Sequence, residues 1–225
     1  MPGFLFTYSR GFLMKKAIIF IDANNWYHNL KKWFIPSDID ISKIADLISN
    51  EKGLDILEIR WYASVPNIDD NKLIYLKHMD FLSNLKKKDI KVITRKLQRL
   101  SNKELKKKRQ DMLDSWDLCG VCKPIVESSF LDIVNHSQKE KGIDVWIAID
   151  MVKEAINNKV DCVVLISGDA DFVPAFNLIK EIGKEVLSSF VPRGYSNELR
   201  QIFPYFLLRK EILLKCLRSY KDIKK

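Results

Sequence analysis

The sequence predicts an α/β fold: a three-layer sandwich in which helices cover both faces of a mainly parallel sheet of about five strands. Short runs of consecutive apolar residues, at 17–21 and 162–166, are typical of parallel strands buried on both faces. Segments with helical periodicity alternate with these runs along the chain, as parallel strands joined by crossover helices require.

The first half of the chain predicts three strands and three helices. The run 17–21 ends at Asp22, after which Trp26, Leu30 and Trp33 recur at helical spacing. A second amphipathic helix begins near Ile41, and Gly53 ends it. The remaining elements of this half are a strand at 56–63, a helix at about 72–87 and a strand at 90–97.

The second half begins with an insertion at about 100–140, in which the periodicity weakens and two cysteines occur. It continues with a helix at 142–156, a strand at 162–166, a helix at 172–182, a strand at 186–191 and a helical stretch at 197–217. We therefore divide the chain into an N-terminal tail (1–14), a main domain (15–203) and a C-terminal helix (204–225).

The excess positive charge is concentrated in one segment. The formal net charge is +9, and residues 72–109 hold fourteen Lys and Arg against three Asp and Glu, a local net of +11. The rest of the chain carries 24 basic and 26 acidic residues. A single cluster such as Lys86-Lys87-Lys88 also fits a solvated helix face, but an excess confined to one segment favours a phosphate-binding surface.

No apolar run is long enough to span a bilayer, and the first residues lack the basic region of a signal peptide. The four cysteines form no obvious disulfide framework, which is typical of a reducing compartment. We therefore expect a cytoplasmic protein that does not bind membranes.

Four aspartates follow predicted strands or begin a predicted helix. Asp22 and Asp169 each follow a buried strand, Asp171 comes two residues later, and Asp144 begins a helix. Ligands of such sheets gather at the carboxyl ends of the strands. Each aspartate taken singly also fits a helix cap or a turn, Asp144 and Asp171 in particular. Carboxylates packed together repel one another, and a hard divalent cation is the usual compensation.

The motifs around these aspartates resemble the NYN domain, a family of the PIN-like nuclease superfamily. They are Phe20-Ile21-Asp22-x-x-Asn25, Lys141-Gly142-Ile143-Asp144-Val145 with Asp150, and Ser167-Gly168-Asp169-x-Asp171-Phe172-x-Pro174. The likeness continues through Gly183-Lys184-x-Val186 and covers about residues 16–203. Three motifs in order, each in the matching strand or helix context, are more specific than any one alone. The resemblance implies a PIN-like α/β/α sandwich and metal-dependent ribonuclease activity.

The resemblance also implies roles for single residues. It makes Asp22, Asp144, Asp169 and Asp171 the catalytic carboxylates that bind Mg²⁺ or Mn²⁺. Residues that support this site or contact substrate are then Asn25, Ser167, Asp150, Lys141 and Arg193. Asp150 lies six residues after Asp144, about 240° around a helix, so it need not face the same site. A further acidic residue is common in PIN nucleases, and Asp69, Asp70 and Asp80 are the candidates here.

The insertion contains a Cys-x-x-Cys pair, Cys119 and Cys122, with His136 downstream. A structural zinc site needs about four ligands, so these three residues make an incomplete set. Two reduced thiols in a loop are the simpler interpretation.

Aromatic and apolar residues suggest two further surfaces. Trp26, Tyr27 and Trp33 could stack RNA bases, although helical spacing favours core packing for the two tryptophans. The apolar C-terminal helix could complete the core or form a homodimer.

The leading hypothesis is thus a metal-dependent endoribonuclease whose segment 72–109 binds RNA. A non-catalytic RNA-binding or regulatory module with the same fold is the main alternative. A metal-dependent phosphatase would explain the carboxylates but would leave the basic segment without a role.

Overall fold

The structure is a computed structural model of the chain. It describes residues 14–66, 68, 71–96, 102–127, 142–192 and 194–218, and of residues 96 and 102–106 it describes the backbone only. The strands are β1 Lys15–Asp22, β2 Leu54–Val65, β3 Lys91–Lys96, β4 Cys162–Ile166, β5 Glu185–Phe190 and β6 Tyr205–Leu207. The helices are α1 Ala23–Leu30, α2 Ile41–Lys52, α3 Lys72–Lys86, α4 Asn102–Asp114, α5 Ile143–Ile156, α6 Val173–Glu181, α7 Asn197–Ile202 and α8 Lys210–Lys215.

The six strands form one sheet in the order β3-β2-β1-β4-β5-β6, and every neighbouring pair is parallel. The chain builds outward from β1 to β3, then returns to place β4 on the other side of β1. This reversal is a topological switch point, where the carboxyl ends of two neighbouring strands border a crevice. The predicted parallel α/β fold is therefore confirmed, with six strands rather than about five.

Side chains alternate along β1 between two apolar cores, one on each face of the sheet. Ala17, Ile19 and Ile21 belong to a core that includes buried residues of α1, α2, α3 and α8. Ile18 and Phe20 belong to a second core with buried residues of α5, α6 and α7. Because β1 is buried on both faces, its sequence is a continuous apolar run. The predicted three-layer arrangement is thus present.

The C-terminal segment 204–225 was predicted to be a helix, and this prediction is wrong for its first residues. Pro204 follows α7, and Tyr205–Leu207 then pairs with β5 as the short edge strand β6. Proline lacks the backbone N–H that a helix interior needs, which explains the break. The helix resumes only as α8.

The apolar C-terminal residues complete the first core. Leu208, Leu213 and Cys216 are fully buried, while Leu214 is half exposed. Leu217 forms an antiparallel bridge with Ile39, which fixes the end of the described chain beside α2. Core packing therefore accounts for most of the apolar character that suggested a dimer, and the homodimer stays a prediction.

The insertion contains more regular structure than its sequence pattern predicts. Helix α4 occupies its first part and buries Leu113. Residues 128–141, which include His136 and Lys141, lie outside the described residues. No helix in the described ranges is long and apolar enough to cross a membrane.

Candidate active site

The site begins at the switch point, where β1 and β4 end side by side. Asp22 is the last residue of β1 and caps α1: its Oδ1 accepts hydrogen bonds from the backbone N–H groups of Asn24 (3.0 Å) and Asn25 (3.1 Å). Its Oδ2 accepts a hydrogen bond from the Ser167 hydroxyl at 3.1 Å. Although Asp22 is only 3% exposed, its carboxylate is satisfied by three donors and by the N-terminal end of the α1 dipole.

Ser167 links the Asp22 carboxylate to the backbone of Asp169. It follows β4 directly, is buried, and accepts a hydrogen bond from the backbone N–H of Asp169 at 3.3 Å. The Asp169 side chain caps the next turn by accepting from the backbone N–H of Asp171 at 3.1 Å. The Ser188 hydroxyl donates to the Ser167 carbonyl at 3.3 Å, which ties this corner to β5. One hydroxyl group therefore connects the Asp22 carboxylate with the backbone N–H of Asp169.

Asn25 connects the loop after β4 to α1 by hydrogen bonds. Its Oδ1 accepts from the Gly168 backbone N–H at 3.2 Å and from the Asn29 side chain at 3.0 Å. The Asn29 amide also donates to the Gly194 carbonyl at 3.4 Å. One polar row on α1 thus holds the loops that follow β4 and β5, and the supporting role of Asn25 in the site stays a prediction.

The backbones of these two loops are in close contact at a pair of glycines. The Ser196 backbone N–H donates to the Gly168 carbonyl at 2.7 Å. A Cβ built on Gly168 would lie 1.7 Å from the Gly194 carbonyl oxygen, and one on Gly194 would lie 2.2 Å from the Asn29 amide. Only glycine fits at position 168 without moving the backbone of the neighbouring loop.

The hydrogen bonds described above do not include the carboxylates of Asp171 and Asp144, and Asp171 takes part only through its backbone N–H. Asp171 is exposed, and Asp144 lies half-buried in the first turn of α5. Among the residues that the structure describes, no three Asp, Glu, His or Cys side chains are close enough to hold a metal ion. The structure therefore joins Asp22 and Asp169, and the metal-binding role of the four aspartates stays a prediction.

Two of the capping positions are not occupied by the aspartates that the sequence suggested for them. Asp169, rather than Asp171, is the side-chain cap of the turn after β4. Gly142, not Asp144, precedes α5, and it has a positive φ of 81°. A Cβ on Gly142 would lie 2.3 Å from the Arg95 guanidinium, so Arg95 packs against the start of α5 near Asp144.

Asp150 belongs to a partly buried polar network between α5 and the sheet. The Tyr62 hydroxyl donates to its Oδ2 at 2.7 Å, and the Arg60 guanidinium lies 4.0 Å away. Arg60 is 4% exposed and bonds to Glu154 and Glu58, each at 2.9 Å. Tyr62 is the register partner of Asp22, so this network adjoins the site.

The network perturbs the titration of its members. Burial, followed by the hydrogen bond to Asp150, raises the pKa of Tyr62 above its usual value. Burial works against the charge of Arg60, but hydrogen bonds to Glu58 and Glu154 outweigh it and raise the Arg60 pKa. Tyr62 is thus a neutral donor that orients Asp150, which fits a supporting role.

The basic segment 72–109 is divided between two ends of the sheet. Because α3 runs toward the start of β3, Lys86-Lys87-Lys88 lies at the amino ends of the strands, away from Asp22. Lys88 pairs with Asp40 at 2.7 Å and Lys91 with Glu58 at 3.2 Å. Lys72, Lys77 and Arg95 are exposed near the carboxyl ends instead. Of the basic residues placed here, this second group lies at the same end of the strands as Asp22.

Several predicted residues remain without a tested role. Lys141, Arg193, His136, Asp69 and Asp70 lie outside the described residues. Cys119 and Cys122 are exposed free thiols, and the Cys122 backbone N–H lies 3.4 Å from the Cys119 sulfur. That hydrogen bond lowers the pKa of the Cys119 thiol. The zinc site therefore stays a prediction.

Sequence reasoning did not identify Asn29 and Gly194 as part of the site. The spacing of Asn25 and Asn29 at i and i+4 places both side chains on one face of α1, which is a usable signal. The contact between Gly168 and Gly194 is tertiary, and the sequence carries no local signal for it.

An all-parallel α/β/α sandwich with carboxylates at its switch point is the architecture of a PIN-like protein. The NYN domain family model matches residues 16–210, most of the chain, and the chain belongs to that family, whose members are generally RNA nucleases.

Comparison with individual proteins adds little beyond the family. "Uncharacterized protein MJ0482" of Methanocaldococcus jannaschii is 34% identical over 65 residues, which are 29% of this chain. The matched part spans 27% of that protein's own length. No solved structure matches the chain significantly.

Proposed function

We propose that the protein is a metal-dependent ribonuclease that hydrolyses phosphodiester bonds within RNA at the corner formed by Asp22, Ser167 and Asp169. The observation that carries this proposal is that Ser167 at the switch point donates to the Asp22 carboxylate and accepts from the backbone N–H of Asp169. Membership of a family of RNA nucleases supports it.

The oxygen donors at this corner fit Mg²⁺ or Mn²⁺. Both ions prefer carboxylate, hydroxyl and water oxygens to nitrogen or sulfur. Mg²⁺ keeps several waters and is commonly bound by one or two carboxylates together with substrate phosphates. Asp22 and Asp169 would hold such an ion, and Asp144 would complete the set from the start of α5. A bound ion would polarise the phosphodiester and favour deprotonation of the attacking water.

The protein's own groups would position the reaction. Asp22 is held in place by the α1 backbone and by Ser167, so its orientation does not depend on substrate. In hydrolysis the water oxygen forms a new bond to phosphorus, the bridging P–O bond breaks, and the departing alkoxide takes a proton from solvent. Fixed carboxylates reduce the ordering cost of that geometry.

Exposed cations at the carboxyl ends of the strands would bind the RNA backbone. Lys72 and Lys77 lie on α3, and Arg95 lies on β3 beside Gly142. Each phosphate contact releases counterions, so affinity falls as salt rises. Lys88 and Lys91 serve as matched controls because they pair with carboxylates at the opposite end of the sheet.

Cleavage of a labelled single-stranded RNA tests the proposal. We expect cutting with Mn²⁺ or Mg²⁺, none with EDTA, and at least a 100-fold lower rate in Asp22→Asn and Asp169→Asn. Asp55→Asn is the control, since Asp55 is an exposed aspartate at the amino end of β2. Thermal unfolding of each variant verifies that it is folded.

RNA binding without cleavage under either metal would refute the enzymatic proposal and favour the non-catalytic RNA-binding module. Equal loss of activity in Asp55→Asn would show that the effect is not specific to the corner. Cleavage that persists in folded Asp22→Asn and Asp169→Asn would place the chemistry elsewhere.

A further inference from the structure

A groove with a volume of about 950 Å³ opens beside the candidate active site. Its walls are α1, residues 35–37, the carboxyl end of β2 and one face of α3. The volume is at the upper end of the range for ligand pockets. Neither the hydrolytic corner nor the network around Arg60 lines the groove, so the proposed hydrolysis does not use the groove.

The groove is lined by aromatic rings to an unusual degree. Six contribute: Trp26, Tyr27, His28, Trp61, His78 and Phe81. Trp26 and Trp61 are buried, as their helical and strand positions require, and form its floor. Tyr27 is 52% exposed, so one ring stands at the wall and is accessible from solvent. Flat aromatic faces bind nucleobases by stacking, with little dependence on which base is present.

The charges around the groove suit an anion. Lys77 lines it, and the Lys31 ammonium lies 5.5 Å from the centre of the Tyr27 ring. No carboxylate is found among the described residues of its lining. An aromatic, anionic ligand such as a nucleotide would satisfy both the rings and the lysines, whereas an apolar peptide would leave the lysines unused.

The first residues of α1 connect the hydrolytic corner to the groove along the chain. Ala23 and Asn24, which line it, follow Asp22 directly, and the Asn24 backbone N–H donates to Asp22. On the neighbouring strand, Ala63 and Ser64 follow Tyr62, the register partner of Asp22. A strand of RNA whose phosphate lies at Asp22 would therefore bring an adjacent base to the groove.

We propose that this groove binds an unpaired base next to the phosphodiester bond that is cut. The inference rests on the proposed function and narrows it. In a duplex the bases are stacked and paired, and exposing one costs a few kcal/mol. Duplex RNA would therefore bind and react less well than the same sequence as a single strand.

The test uses the full-length protein and a short single-stranded RNA that carries 2-aminopurine at successive positions. In EDTA, where no cutting occurs, we expect the fluorescence of the base at one position to be quenched on binding. Because stacking contributes about 1–3 kcal/mol per base, Tyr27→Ala is expected to weaken binding roughly 5- to 160-fold and to abolish the quenching. Tyr27→Phe keeps the ring and is expected to restore both.

Tyr205→Ala is the matched control, since Tyr205 is an exposed tyrosine on β6 at the far edge of the sheet. Unchanged quenching and affinity in Tyr27→Ala, or equal affinity for duplex and single strand, would overturn the inference. If metal-dependent cleavage nevertheless persists, the proposed function stands without it. If the wild-type protein neither binds nor cuts RNA, the proposed function fails as well. A Tyr27-dependent change in oligomeric state with RNA binding unchanged would assign the groove to a second copy of the chain.

Discussion

Substituting Gly168 by alanine tests the close contact on which the site depends. The new Cβ would lie 1.7 Å from the Gly194 carbonyl oxygen and 2.6 Å from the Tyr195 Cα. A carbon and a carbonyl oxygen normally approach no closer than about 3.3 Å, so the two loops must separate by roughly 1.5 Å. The obstacle is backbone, which cannot rotate away as a side chain can.

The separation has a cost that can be estimated from the bonds it strains. The Ser196 N–H bond to the Gly168 carbonyl crosses this contact, and the Gly168 N–H bond to Asn25 holds the same loop to α1. Losing one or both costs about 1–2 kcal/mol net, and forced overpacking adds about 1–3 kcal/mol. We expect a total loss of roughly 2–5 kcal/mol. For a domain of this size, that corresponds to a fall in Tm of roughly 4–20 °C.

Urea denaturation of Gly168→Ala beside Gly120→Ala measures the effect. Nothing lies within 4 Å of a Cβ built on Gly120, so that variant should stay within about 0.5 kcal/mol of wild type. The expected order is Gly168→Ala, then Gly194→Ala, then Gly120→Ala, because the Gly194 contact is with the movable amide of Asn29. If Gly168→Ala unfolds at the same urea concentration as Gly120→Ala, the loop contact described above is refuted.

Three further predictions follow from buried groups. Burial lowers the pKa of His78 below its ordinary 6.5, so the unfolded chain binds a proton more readily than the folded chain and stability falls as the pH drops below about 6.5. The difference between the urea midpoints at pH 7.5 and pH 5.5 should therefore be smaller in His78→Gln than in wild type. An equal difference in the two proteins would contradict this prediction. Arg60→Met leaves the buried Glu154 with only the exposed Lys159 as its partner and should cost up to about 3–5 kcal/mol. Lys15→Met, at an exposed pair, should cost less than about 1 kcal/mol, and equal losses would count against the network. Ser167→Ala removes a donor to Asp22 and should cost about 1–3 kcal/mol by the same assay, together with most of the cleavage rate; retention of both would remove Ser167 from the site.

The sequence predicts the fold well where one physical signal dominates. The runs 17–21 and 162–166 are apolar at every position because both faces are buried, and they became β1 and β4. The placement of Asp22 and Asp169 at one edge followed from strand direction alone. In contrast, the three-residue strand β6 is stabilised by pairing with β5 and is too short to show a period of its own.

The sequence alone could not show which lysines of the basic segment are available to bind a ligand. Its lysines are adjacent in the chain, yet the turn between α3 and β3 lies at the amino ends of the strands. Lys88 is therefore held by Asp40, while Lys77 faces the aromatic groove. Net charge predicts that a polyanion binds; only the direction of each element tells which lysines are available to it.

Asp22 shows how the fold prepares the site before any ligand arrives. Its Oδ1 is occupied by the first turn of α1 and its Oδ2 by Ser167, so the carboxylate has one orientation in the folded chain. The same donors compensate for burying its charge, which would otherwise be costly. The groove adjoins this residue because α1 begins where β1 ends, and the helix carries both Asn25, which fixes the corner, and Tyr27, which borders the groove. A single strand-to-helix junction therefore positions both a carboxylate suited to phosphate chemistry and a ring suited to base stacking. We therefore expect a substrate with an unpaired base beside its scissile phosphate to bind this surface more tightly than a duplex.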